Sequence, residues 1–517
     1  MFGAGWRRAC GAVAAAGLSG TILMGVGLTP STAAAVGSTP VLAASEAPVP
    51  ADAAGNPNVN LTTPPVCPTS GFCVAVGRYE EPDGGQPGLI ETLSGGVWTA
   101  VQAPLPGSYP YGDELVNFKS LVCPTAASCV AVGSYVDYNN AFQGLIETLS
   151  EGVWTPTEAP LPANQTIPGD QDAVLDDVAC SSAGSCVAVG HYLSTPATFP
   201  ANQGLIETLS DGRWTDEEAP LPKKVSGKFT ILNAVACPTA GSCVAVGVAP
   251  TVRDADPSGS QGLVETWRGR RWIATTAPLP TGGQADTSSL SLLDCPAAGA
   301  CVAVGASTGP GELYQPMFER LTKKKWTATY VPVPGDGAPG MAPGISALAC
   351  PAVNACAAVG EYQNTDNLYQ GLIETLSAGT WAPTPAPLPA NASAVEDQAS
   401  AVLALACPAA GDCLAGGSYA DTDGHTRPVV ETLAGGTWSA TEATVAPNES
   451  SDPPQTWFET LGCQSAGFCI ALGGYADTTN AVQGVIETVS ALTPTATAAG
   501  SGRRDRPRGS HSPAVTP

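Results

Sequence analysis

Paired cysteines are the most reactive side chains that recur in this 517-residue chain. Sixteen of the 17 cysteines form eight C-x5-C pairs, and the first cysteines of neighbouring pairs are 55 to 58 residues apart. Thiols at this spacing could bind a metal, exchange redox equivalents or form local disulfides. C-x5-C is not a zinc spacing, and no histidine or second pair is placed to complete a site, so we predict local disulfides formed in an oxidising compartment. The pairs are Cys67 with Cys73, Cys123 with Cys129, Cys180 with Cys186, Cys237 with Cys243, Cys295 with Cys301, Cys350 with Cys356, Cys407 with Cys413 and Cys463 with Cys469.

A glutamate also recurs once in each repeat, and paired carboxylates can perform general acid–base catalysis. In an extended strand this glutamate shares a face with residues two positions away, mostly leucine, so the carboxylate needs a partner. Catalysis requires one asymmetric site, whereas this residue occurs eight times. We therefore predict no catalytic residue and a structural glutamate bonded to backbone N–H groups, hydroxyls or a neighbouring indole N–H. The eight are Glu91, Glu147, Glu207, Glu265, Glu319, Glu374, Glu431 and Glu487.

Basic residues concentrate in three neighbouring repeats, at the turn between the third and fourth strand-like segments. Equivalent turns elsewhere are neutral or acidic, as in Gly95-Gly96 and Glu151-Gly152. In a chain of formal charge −24, such a cluster predicts a binding site for an anionic partner, with a cell-wall polymer or a protein as the expected ligand. From the sequence alone, solubilising charge in exposed turns is the favoured interpretation, and the binding site is the functional hypothesis. The candidate binding residues are Arg213, Arg268, Arg270, Arg271, Lys323, Lys324 and Lys325.

Loops between the second and third segments are rich in Asp, Asn, Tyr and Gly, for example Asp137-Tyr138-Asn139-Asn140 and Asp421-Thr422-Asp423-Gly424. Several oxygen ligands could hold calcium there. D-x-D-G alone is a weak signal, and a solvated turn is favoured. We predict no metal site and no cofactor, with calcium at these loops as the alternative.

Four strand-like segments make up each repeat. In the repeat at 175–222 they are LDDVAC, CVAVGHY, GLIETLS and the segment from Trp214 towards Pro220. β-Branched and aromatic residues fill the segments, and Gly, Pro, Ser, Asn and Asp separate them. Four short antiparallel strands form one blade of a β-propeller. Eight repeats therefore predict an all-β fold, a single eight-bladed propeller.

The two ends of the repeat region complement each other. The eighth repeat stops at Ser490 without the tryptophan or the A-P-L-P sequence of the other repeats, while the sequence SEAPVP at 45–50 matches TEAPLP at 157–162. Leu42 falls where the tryptophan belongs. We predict that this N-terminal strand completes the last blade, since an open ring would leave strand edges unpaired. The alternative is a loose linker at 38–50.

Two aromatic positions also recur. A tryptophan follows the repeated glutamate by seven residues in seven repeats, and a tyrosine ends the second segment in six. We predict packing between blades, with carbohydrate stacking as the alternative for the tryptophans. These residues are Trp98, Trp154, Trp214, Trp272, Trp326, Trp381 and Trp438, and Tyr79, Tyr135, Tyr192, Tyr362, Tyr419 and Tyr475.

The ends of the chain differ from the repeats. Trp6-Arg7-Arg8 precedes a weakly apolar stretch at 9–28 and an A-x-A sequence at 33–35, which together predict a secretory signal peptide at 1–35. An uncleaved membrane anchor is the alternative. The propeller is assigned to 36–490, and the Thr/Pro/Ala/Gly-rich segment 491–517 is predicted to be a disordered tail.

Composition agrees with short strands and turns. Charged residues make up 13% of the chain, and it contains 59 Gly and 48 Pro, which argues against long helices. Hydrophobic residues make up 44%, enough to form a core. The negative charge argues against a nucleic-acid partner.

The S-x-G-x-W turn resembles a shortened Asp-box (BNR-like) hairpin of sialidase-type and sortilin-type propellers. C-P-x-x-x-x-C-V-A-V-G together with G-G-T-W-T and A-P-L-P is similar to secreted repeat proteins of high-GC Gram-positive bacteria, largely of unknown function. The resemblance covers 38–490, but the Asp two places after the Ser is absent, and Asp211 stands only one place on. Sialidase activity would also require an arginine triad and a tyrosine nucleophile, which we do not assign here.

The sequence thus predicts an extracellular, monomeric binding or scaffold propeller without catalysis. A secreted glycan-active hydrolase or lyase, using the face that carries the variable loops, is the alternative function.

Overall fold

The computed structural model describes residues 40–107, 115–165, 172–194, 201–223, 225, 229–251, 259–284, 287–393, 399–451, 455–465 and 467–490. All of them belong to one compact unit, Ser38–Pro517. The predicted signal peptide and the predicted tail lie outside the described residues. Within the described ranges, no helix has the length and hydrophobicity needed to cross a membrane.

In the described part of the chain, thirty-two strands form eight four-stranded antiparallel sheets. Blades 1 to 4 contain β2 Val66–Thr69, β3 Phe72–Arg78, β4 Gly88–Ser94 and β5 Val97–Gln102; β6 Val116–Thr125, β7 Ser128–Val136, β8 Phe142–Ser150 and β9 Val153–Glu158; β10 Val174–Ser182, β11 Ser185–Ser194, β12 Ala201–Ser210 and β13 Arg213–Glu218; and β14 Ile231–Thr239, β15 Ser242–Pro250, β16 Ser260–Trp267 and β17 Trp272–Thr276. Blades 5 to 8 contain β18 Ser289–Ala297, β19 Ala300–Thr308, β20 Tyr314–Thr322 and β21 Lys325–Tyr330; β22 Gly344–Ala352, β23 Ala355–Gln363, β24 Tyr369–Ser377 and β25 Thr380–Pro385; β26 Ser400–Ala409, β27 Asp412–Ala420, β28 Thr426–Ala434 and β29 Thr437–Glu442; and β30 Thr456–Ser465, β31 Phe468–Ala476, β32 Val482–Ser490 and β1 Val41–Glu46.

The blades form a closed ring. The first strand of each blade contacts the first strand of the next, and β2 of blade 1 contacts both β6 of blade 2 and β30 of blade 8. First strands are therefore innermost, and fourth strands form the rim. The prediction of an eight-bladed β-propeller is confirmed.

The N-terminal strand closes the last blade. β1 pairs antiparallel with β32, from Val41 opposite Ser490 to Glu46 opposite Val485. Leu42 occupies the tryptophan position of the other blades and lies opposite Val489. It is partly buried against the core between blades 7 and 8. The alternative of a loose linker at 38–50 is wrong for residues 41–46, which form this strand.

Each of the eight predicted disulfides is present, and each joins the first two strands of its blade at the hairpin turn. The S–S distances are 1.95–2.11 Å. Closing so small a loop stabilises the fold by about 2 kcal/mol per disulfide in the chain-entropy estimate. This number of disulfides indicates an oxidising environment. The bonds join Cys67 to Cys73, Cys123 to Cys129, Cys180 to Cys186, Cys237 to Cys243, Cys295 to Cys301, Cys350 to Cys356, Cys407 to Cys413 and Cys463 to Cys469.

The second cysteine of each pair is also a core residue, which the spacing alone did not predict. It is the second residue of the second strand in every blade, and its exposed fraction lies between 0% and 7%. Each of the eight hydrophobic clusters between blades contains one of these half-cystines. They therefore contribute buried surface as well as a covalent bond. The eight are Cys73, Cys129, Cys186, Cys243, Cys301, Cys356, Cys413 and Cys469.

Glycine in the second strand of each blade allows the innermost strand to approach closely. A Cβ on Gly77 would lie 2.1 Å from the carbonyl oxygen of Asn60, and one on Gly190 would lie 1.9 Å from that of Val174. These distances are far inside van der Waals contact, so no side chain fits. The repeated A-V-G sequence therefore reflects backbone packing around the axis.

The hydrophobic core lies between blades, as the recurring aromatic residues predict. Trp214 packs among side chains of blades 2 and 3, and Trp381 stacks on Phe318 of blade 5 with ring centroids 3.9 Å apart. The six tyrosines are fully buried. Their hydroxyls bond to polar groups of the rim and linkers, as in Tyr475 to Glu46 at 2.9 Å, which joins blade 8 to its closing strand.

Candidate functional site

Short turns join the third and fourth strands of blades 1 to 7 on one face of the ring, with two residues in most blades and four, Arg268–Arg271, in blade 4. In blade 1 the turn is Gly95-Gly96, with φ of 59° and 83°. Such left-handed turns match the twist of the strands that they connect. In blades 3, 4 and 5 the same turns carry the predicted cations. The structure therefore places all seven candidate residues on three adjacent turns of one face.

One exposed position divides the ring into three arcs. It is the first residue of the fourth strand, or, in blade 4, the residue just before it, and it is exposed in every blade. Going round the ring from blade 8, its occupants are Val41, Val97 and Val153, then Arg213, Arg271 and Lys325, then Thr380 and Thr437. Three neighbouring blades are apolar here, the next three are cationic, and the last two carry hydroxyls. We call the seven cations of blades 3 to 5 the cationic arc.

Three members of the cationic arc line a cleft between blades 4 and 5. The cleft has a volume of about 470 Å³. Arg268, Lys324 and Lys325 line it, together with Trp326. Trp326 is partly exposed, and the three cations are exposed. The structure thus brings cations of two blades together beside one aromatic side chain, at a site that we call the blade 4–5 cleft.

The other members of the cationic arc do not line this cleft. Arg270 and Arg271 lie on the blade 4 turn, and Lys323 precedes Lys324 in the blade 5 turn. Arg213 lies one blade away, beside Asp211. All four are exposed. In the described part of the chain, none of the seven takes part in an ion pair, because the ion pairs present involve His191, His425 and Arg427.

The blade 5 turn has an unusual backbone. Lys323 and Lys324 have φ of 50° and 67°, which is left-handed conformation. The second turn residue of blades 1, 2, 3, 6 and 7 also has positive φ and is glycine in each. A residue with a Cβ costs roughly 1–2 kcal/mol in this conformation. Blade 5 therefore keeps a second charge at a position where glycine is more stable.

A neutral counterpart of the site lies between blades 6 and 7. That cleft has a volume of about 580 Å³ and is built from the same strand positions. The places of Arg268, Lys324 and Lys325 are taken there by Ser377, Gly436 and Thr437, and Trp438 takes the place of Trp326. The two clefts share a backbone framework and differ in charge.

The predicted disulfide cysteines and the predicted cations form separate groups in the structure. Every paired sulfur is bonded to another sulfur, which contradicts the alternatives of a thiolate metal site and of a free redox thiol. Cys243 borders the blade 4–5 cleft, and Cys356 and Cys413 border the cleft between blades 6 and 7. Their role at both clefts is to fix the hairpins that form the walls. Among the second cysteines of the pairs, those that line neither cleft are Cys73, Cys129, Cys186, Cys301 and Cys469.

Two residues near the cationic turns escaped the sequence-based prediction. Trp267 occupies a strand-three position that is Leu or Val in the other blades. Its side chain packs with Trp272 against the core between blades 3 and 4. It escaped because it breaks the repeat instead of belonging to it. Arg320 of β20 is the second, and its guanidinium bonds Asn354 and the carbonyl of Gly379 in blade 6.

The repeated glutamates are buried, and their expected hydrogen-bond donors are not found. Within the described residues, both carboxylate oxygens of Glu91, Glu147 and Glu319 have no partner; the same is true of Glu207, Glu265 and Glu374. Each lies opposite an alanine in the second strand of its blade, as Glu91 lies opposite Ala75. The predicted donors are therefore wrong for these six. Burial raises the pKa of Glu91 to about 9 and that of Glu147 to about 8.

Glu487 differs from these six glutamates because a hydroxyl group lies within hydrogen-bonding distance of its carboxylate. The hydroxyl of Thr444, in the linker after blade 7, donates to this carboxylate at 2.7 Å. The pKa of Glu487 is raised by burial to about 7, against the lowering effect of these bonds to Thr444. In the other seven repeats the position of Thr444 is proline, which has neither an N–H nor a hydroxyl. The seven prolines are Pro48, Pro104, Pro160, Pro220, Pro278, Pro332 and Pro387.

The acidic loops of the opposite face use their carboxylates internally. Asp421 accepts backbone N–H bonds from Asp423 and His425, and it also accepts one from the Arg427 guanidinium at 3.0 Å. Asp477 holds its own loop in the same way. Asp421, Asp423 and His425 do place three potential ligand atoms within 4.8 Å of one another. The bonds are those of a self-stabilised turn, and calcium at these loops stays an untested alternative.

An aspartate near the ring axis joins neighbouring blades through hydrogen bonds. Asp177 of β10 accepts bonds from Ser120 of blade 2 at 2.7 Å and from the N–H of Val235 in blade 4 at 2.8 Å. It therefore ties three innermost strands together. The neighbouring Asp176 lies 3.3 Å from Nδ1 of His191. The variable loops of blades 3 and 4, at 195–200 and 252–258, lie outside the described residues.

Comparisons with known proteins identify no family for this chain. No family model matches the sequence, and no curated protein gives a significant match. Among solved structures, a protein of unknown function from Dyadobacter fermentans DSM 18053 is 11% identical, with 88% of this chain and 100% of that chain covered and a TM-score of 0.37. The Trypanosoma rangeli sialidase in complex with sialic acid is also 11% identical, with 89% and 93% covered and a TM-score of 0.36.

A third similar structure is the β-propeller domain of the Trilobed protease from Pyrococcus furiosus. It is 7% identical, with 76% of this chain and 99% of that chain covered and a TM-score of 0.38. Identities and TM-scores this low assign no activity or ligand to the chain. The resemblance to Asp-box proteins and to secreted repeat proteins of high-GC Gram-positive bacteria stays a prediction.

Proposed function

We propose that this protein is a secreted, non-catalytic binding propeller that docks an anionic cell-surface polymer on its cationic arc. The observation that carries the proposal is the placement of seven exposed cations at three adjacent turns of a chain whose formal charge is −24. Among the residues that the structure describes, none of the seven takes part in an ion pair. A positive surface on an acidic protein attracts and orients polyanions.

Backbone strain in the blade 5 turn supports a binding role. Lys324 keeps a left-handed conformation at a cost that glycine would avoid. Strain of this kind persists at positions where a side chain has a function beyond folding. A solubilising charge would not require this position, since neighbouring exposed positions on the strand are unstrained.

The extent of the cationic arc favours a polymer over a small anion. The turns belong to three blades, and neighbouring turns lie within about 20 Å of one another by strand spacing and blade geometry. A small anion reaches one turn. An extended polyanion contacts all three, and each additional contact then forms as an intramolecular event at a high effective concentration.

Binding should be strongly salt-dependent and should be lost on neutralisation of six cations. The variant replaces Arg268, Arg270, Arg271 and Lys323–Lys325 by serine, and polygalacturonate is the probe. We expect at least about tenfold weaker binding, which corresponds to about 1.4 kcal/mol. Wild-type binding should collapse between about 0.01 M and about 1 M salt, because the Debye length falls from about 30 Å to about 3 Å. Calorimetric titration across this range measures both effects.

Two controls accompany this experiment. Serine at Lys119 and Lys223, exposed lysines outside the turns, removes charge without touching the cationic arc and should leave binding unchanged. Lys324→Gly should raise the melting temperature, since it relieves the left-handed strain, and should weaken binding. Full binding by the six-fold variant, or salt-independent binding, would contradict the proposed site. Turnover of any glycan by the wild-type protein would contradict the non-catalytic assignment.

A further inference from the structure

We infer that the loop between β27 and β28 of blade 7 is a binding site for Zn²⁺, with one ligand atom each from Asp421, Asp423 and His425. The three ligand atoms lie within 4.8 Å of one another. The juxtaposition that carries the inference is a buried imidazole nitrogen without a hydrogen-bond partner beside two carboxylates. The site lies on the face opposite the cationic arc, so it goes beyond the proposed function.

The imidazole nitrogen is Nδ1 of His425. The side chain is partly exposed, but this atom is buried and has no hydrogen-bond partner within the described residues. A polar atom in this state has lost its bonds to water without replacement. Oδ2 of Asp421 lies 3.6 Å away, which is beyond hydrogen-bond distance. Zinc lies about 2.0–2.2 Å from its nitrogen and oxygen ligands, so this separation suits two ligands of one ion.

Asp421 is oriented by its other hydrogen bonds. Its Oδ1 accepts the backbone N–H groups of Asp423 and His425, each at 2.9 Å. Its Oδ2 accepts a bond from Arg427 at 3.0 Å and is the carboxylate oxygen that lies near the imidazole. Bonds of this kind fix the orientation of a metal ligand and strengthen metal binding.

Loops of the same conformation occur in blades 2, 6 and 8 without an imidazole. The first residue of each accepts the N–H groups two and four positions later, as Asp421 does; these residues are Asp137, Asn364 and Asp477. The fifth residue is apolar in all three, namely Ala141, Leu368 and Ala481. The turn therefore forms without histidine, and folding of the loop does not account for His425.

The surroundings of the site are negatively charged. Glu442 and Glu449 each have a carboxylate oxygen 3.9 Å from the Arg427 guanidinium. Together with Asp421 and Asp423, four carboxylates therefore surround one guanidinium. The excess of negative charge favours a divalent cation over an anion at this loop.

The donor set favours Zn²⁺ over Ca²⁺. Calcium takes six to eight oxygen ligands, whereas this loop supplies two carboxylates and one imidazole. Imidazole is a preferred ligand of zinc, which also accepts three protein ligands with water in the fourth position. Because Asp423 is exposed, the ion can enter directly from solvent.

The first test is calorimetric titration of the EDTA-treated, dialysed protein with Zn²⁺. We expect one site. His425→Ala installs the residue of blades 2 and 8, and Asp423→Asn installs the residue of blade 2; each should weaken binding at least about tenfold. His191→Gln removes the other histidine of the described residues and should leave binding unchanged. Wild-type binding by both loop variants, or tighter binding of Ca²⁺ than of Zn²⁺, would overturn the inference.

Arg427→Gln gives a test with the opposite sign. Glutamine occupies this position in blades 2 and 8, where Gln143 and Gln483 donate to the loop aspartate at 3.1 and 3.0 Å. The variant therefore keeps a hydrogen bond to Asp421 and removes a positive charge beside the ion. We expect Zn²⁺ to bind at least about threefold more tightly. Unchanged or weaker binding would contradict the site, since a purely structural arginine gives no gain in affinity.

A graft onto blade 6 tests whether the three ligands suffice. Asn364→Asp combined with Leu368→His reproduces the ligand set, because Asp366 already stands at the middle position. We expect the number of Zn²⁺ sites to rise from one to two. A graft that melts like the wild type and binds no second ion would contradict the assignment. The six-fold serine variant of the cationic arc should bind Zn²⁺ like the wild type, so this inference and the proposed function can fail separately.

Discussion

The melting temperature should fall steeply as the pH is raised from about 5 to about 9, because the repeated glutamates are buried as neutral acids. Burial raises the pKa to about 9 for Glu91, Glu207 and Glu265, from an ordinary value of 4.5. For Glu147, Glu319, Glu374 and Glu431 it raises the pKa to about 8. In this pH interval the folded protein holds protons that the unfolded chain has released.

The sign and size follow from proton linkage. A group whose folded pKa exceeds its unfolded pKa contributes stability that is fully present below about pH 4.5 and is lost as the pH rises through the folded value. The loss is about 1.4 kcal/mol per pH unit for each group. Over about two pH units, two or three such carboxyls already match the roughly 5–15 kcal/mol that stabilises an ordinary domain. Alkaline unfolding should therefore be cooperative.

Glu91→Gln tests this account through a change of sign. Glutamine has the same shape and cannot ionise. Near pH 5 the variant should be no more stable than the wild type, whereas near pH 9 it should melt at a higher temperature. Glu487→Gln should show a smaller benefit, since the Thr444 hydroxyl partly satisfies that carboxylate. Glu151→Gln, at an exposed turn, serves as the control. A melting temperature that is flat between pH 5 and pH 9 would contradict the neutral, buried state.

Deleting residues 37–51 should destabilise the whole ring. The deletion removes β1 and leaves the edge of β32 unpaired along six residue pairs. It also removes Glu46, which accepts hydrogen bonds from Tyr475 and Asn448 at 2.9 Å. Each lost intramolecular hydrogen bond costs about 1 kcal/mol. We expect the melting temperature to fall by several degrees, measured by calorimetry.

A second deletion and a peptide-addition experiment serve as controls for the loss of β1. Deleting 493–517 should have almost no effect, because that segment has no apolar pattern to bury. A synthetic peptide of residues 38–51, added to the truncated protein, should restore the melting temperature by pairing with the open edge. If the two deletions behave alike, or if the peptide restores nothing, β1 does not close the ring.

The fold could be predicted from the sequence because the recurring side chains of the repeat each have one structural role. C-x5-C marks the hairpin between strands one and two, and turn residues followed by Trp mark the entry to strand four. The closing strand was predictable from SEAPVP because the same residues end the rim strand of other blades. The repeated Gly of A-V-G gave no comparable signal, since only the packed ring shows what its Cβ would strike.

The site was only partly predictable. The cations were predictable because the equivalent turns of the other repeats are neutral or acidic. Repeats that are neighbours in the sequence are also neighbours in the ring. The blade 4–5 cleft is formed by strands of two repeats, so its walls could not be read from either repeat alone. Trp267 looked like an ordinary substitution, and only the folded chain shows that it packs with Trp272 against the core between blades 3 and 4. The partners of the glutamates were predicted wrongly, because the relevant position in the preceding linker is proline in seven repeats.

The most direct test of the cationic arc is chemical coupling of the bound polymer to the protein. Polygalacturonate carboxylates, activated with a carbodiimide and bound at low salt, form amides with nearby lysine amino groups, and peptide mass mapping identifies the lysines. We predict coupling at Lys323–Lys325, none above background at Lys119 or Lys223, and loss of all coupling in about 1 M salt. Equal coupling at Lys119 and Lys223, or coupling that survives high salt, would contradict the account.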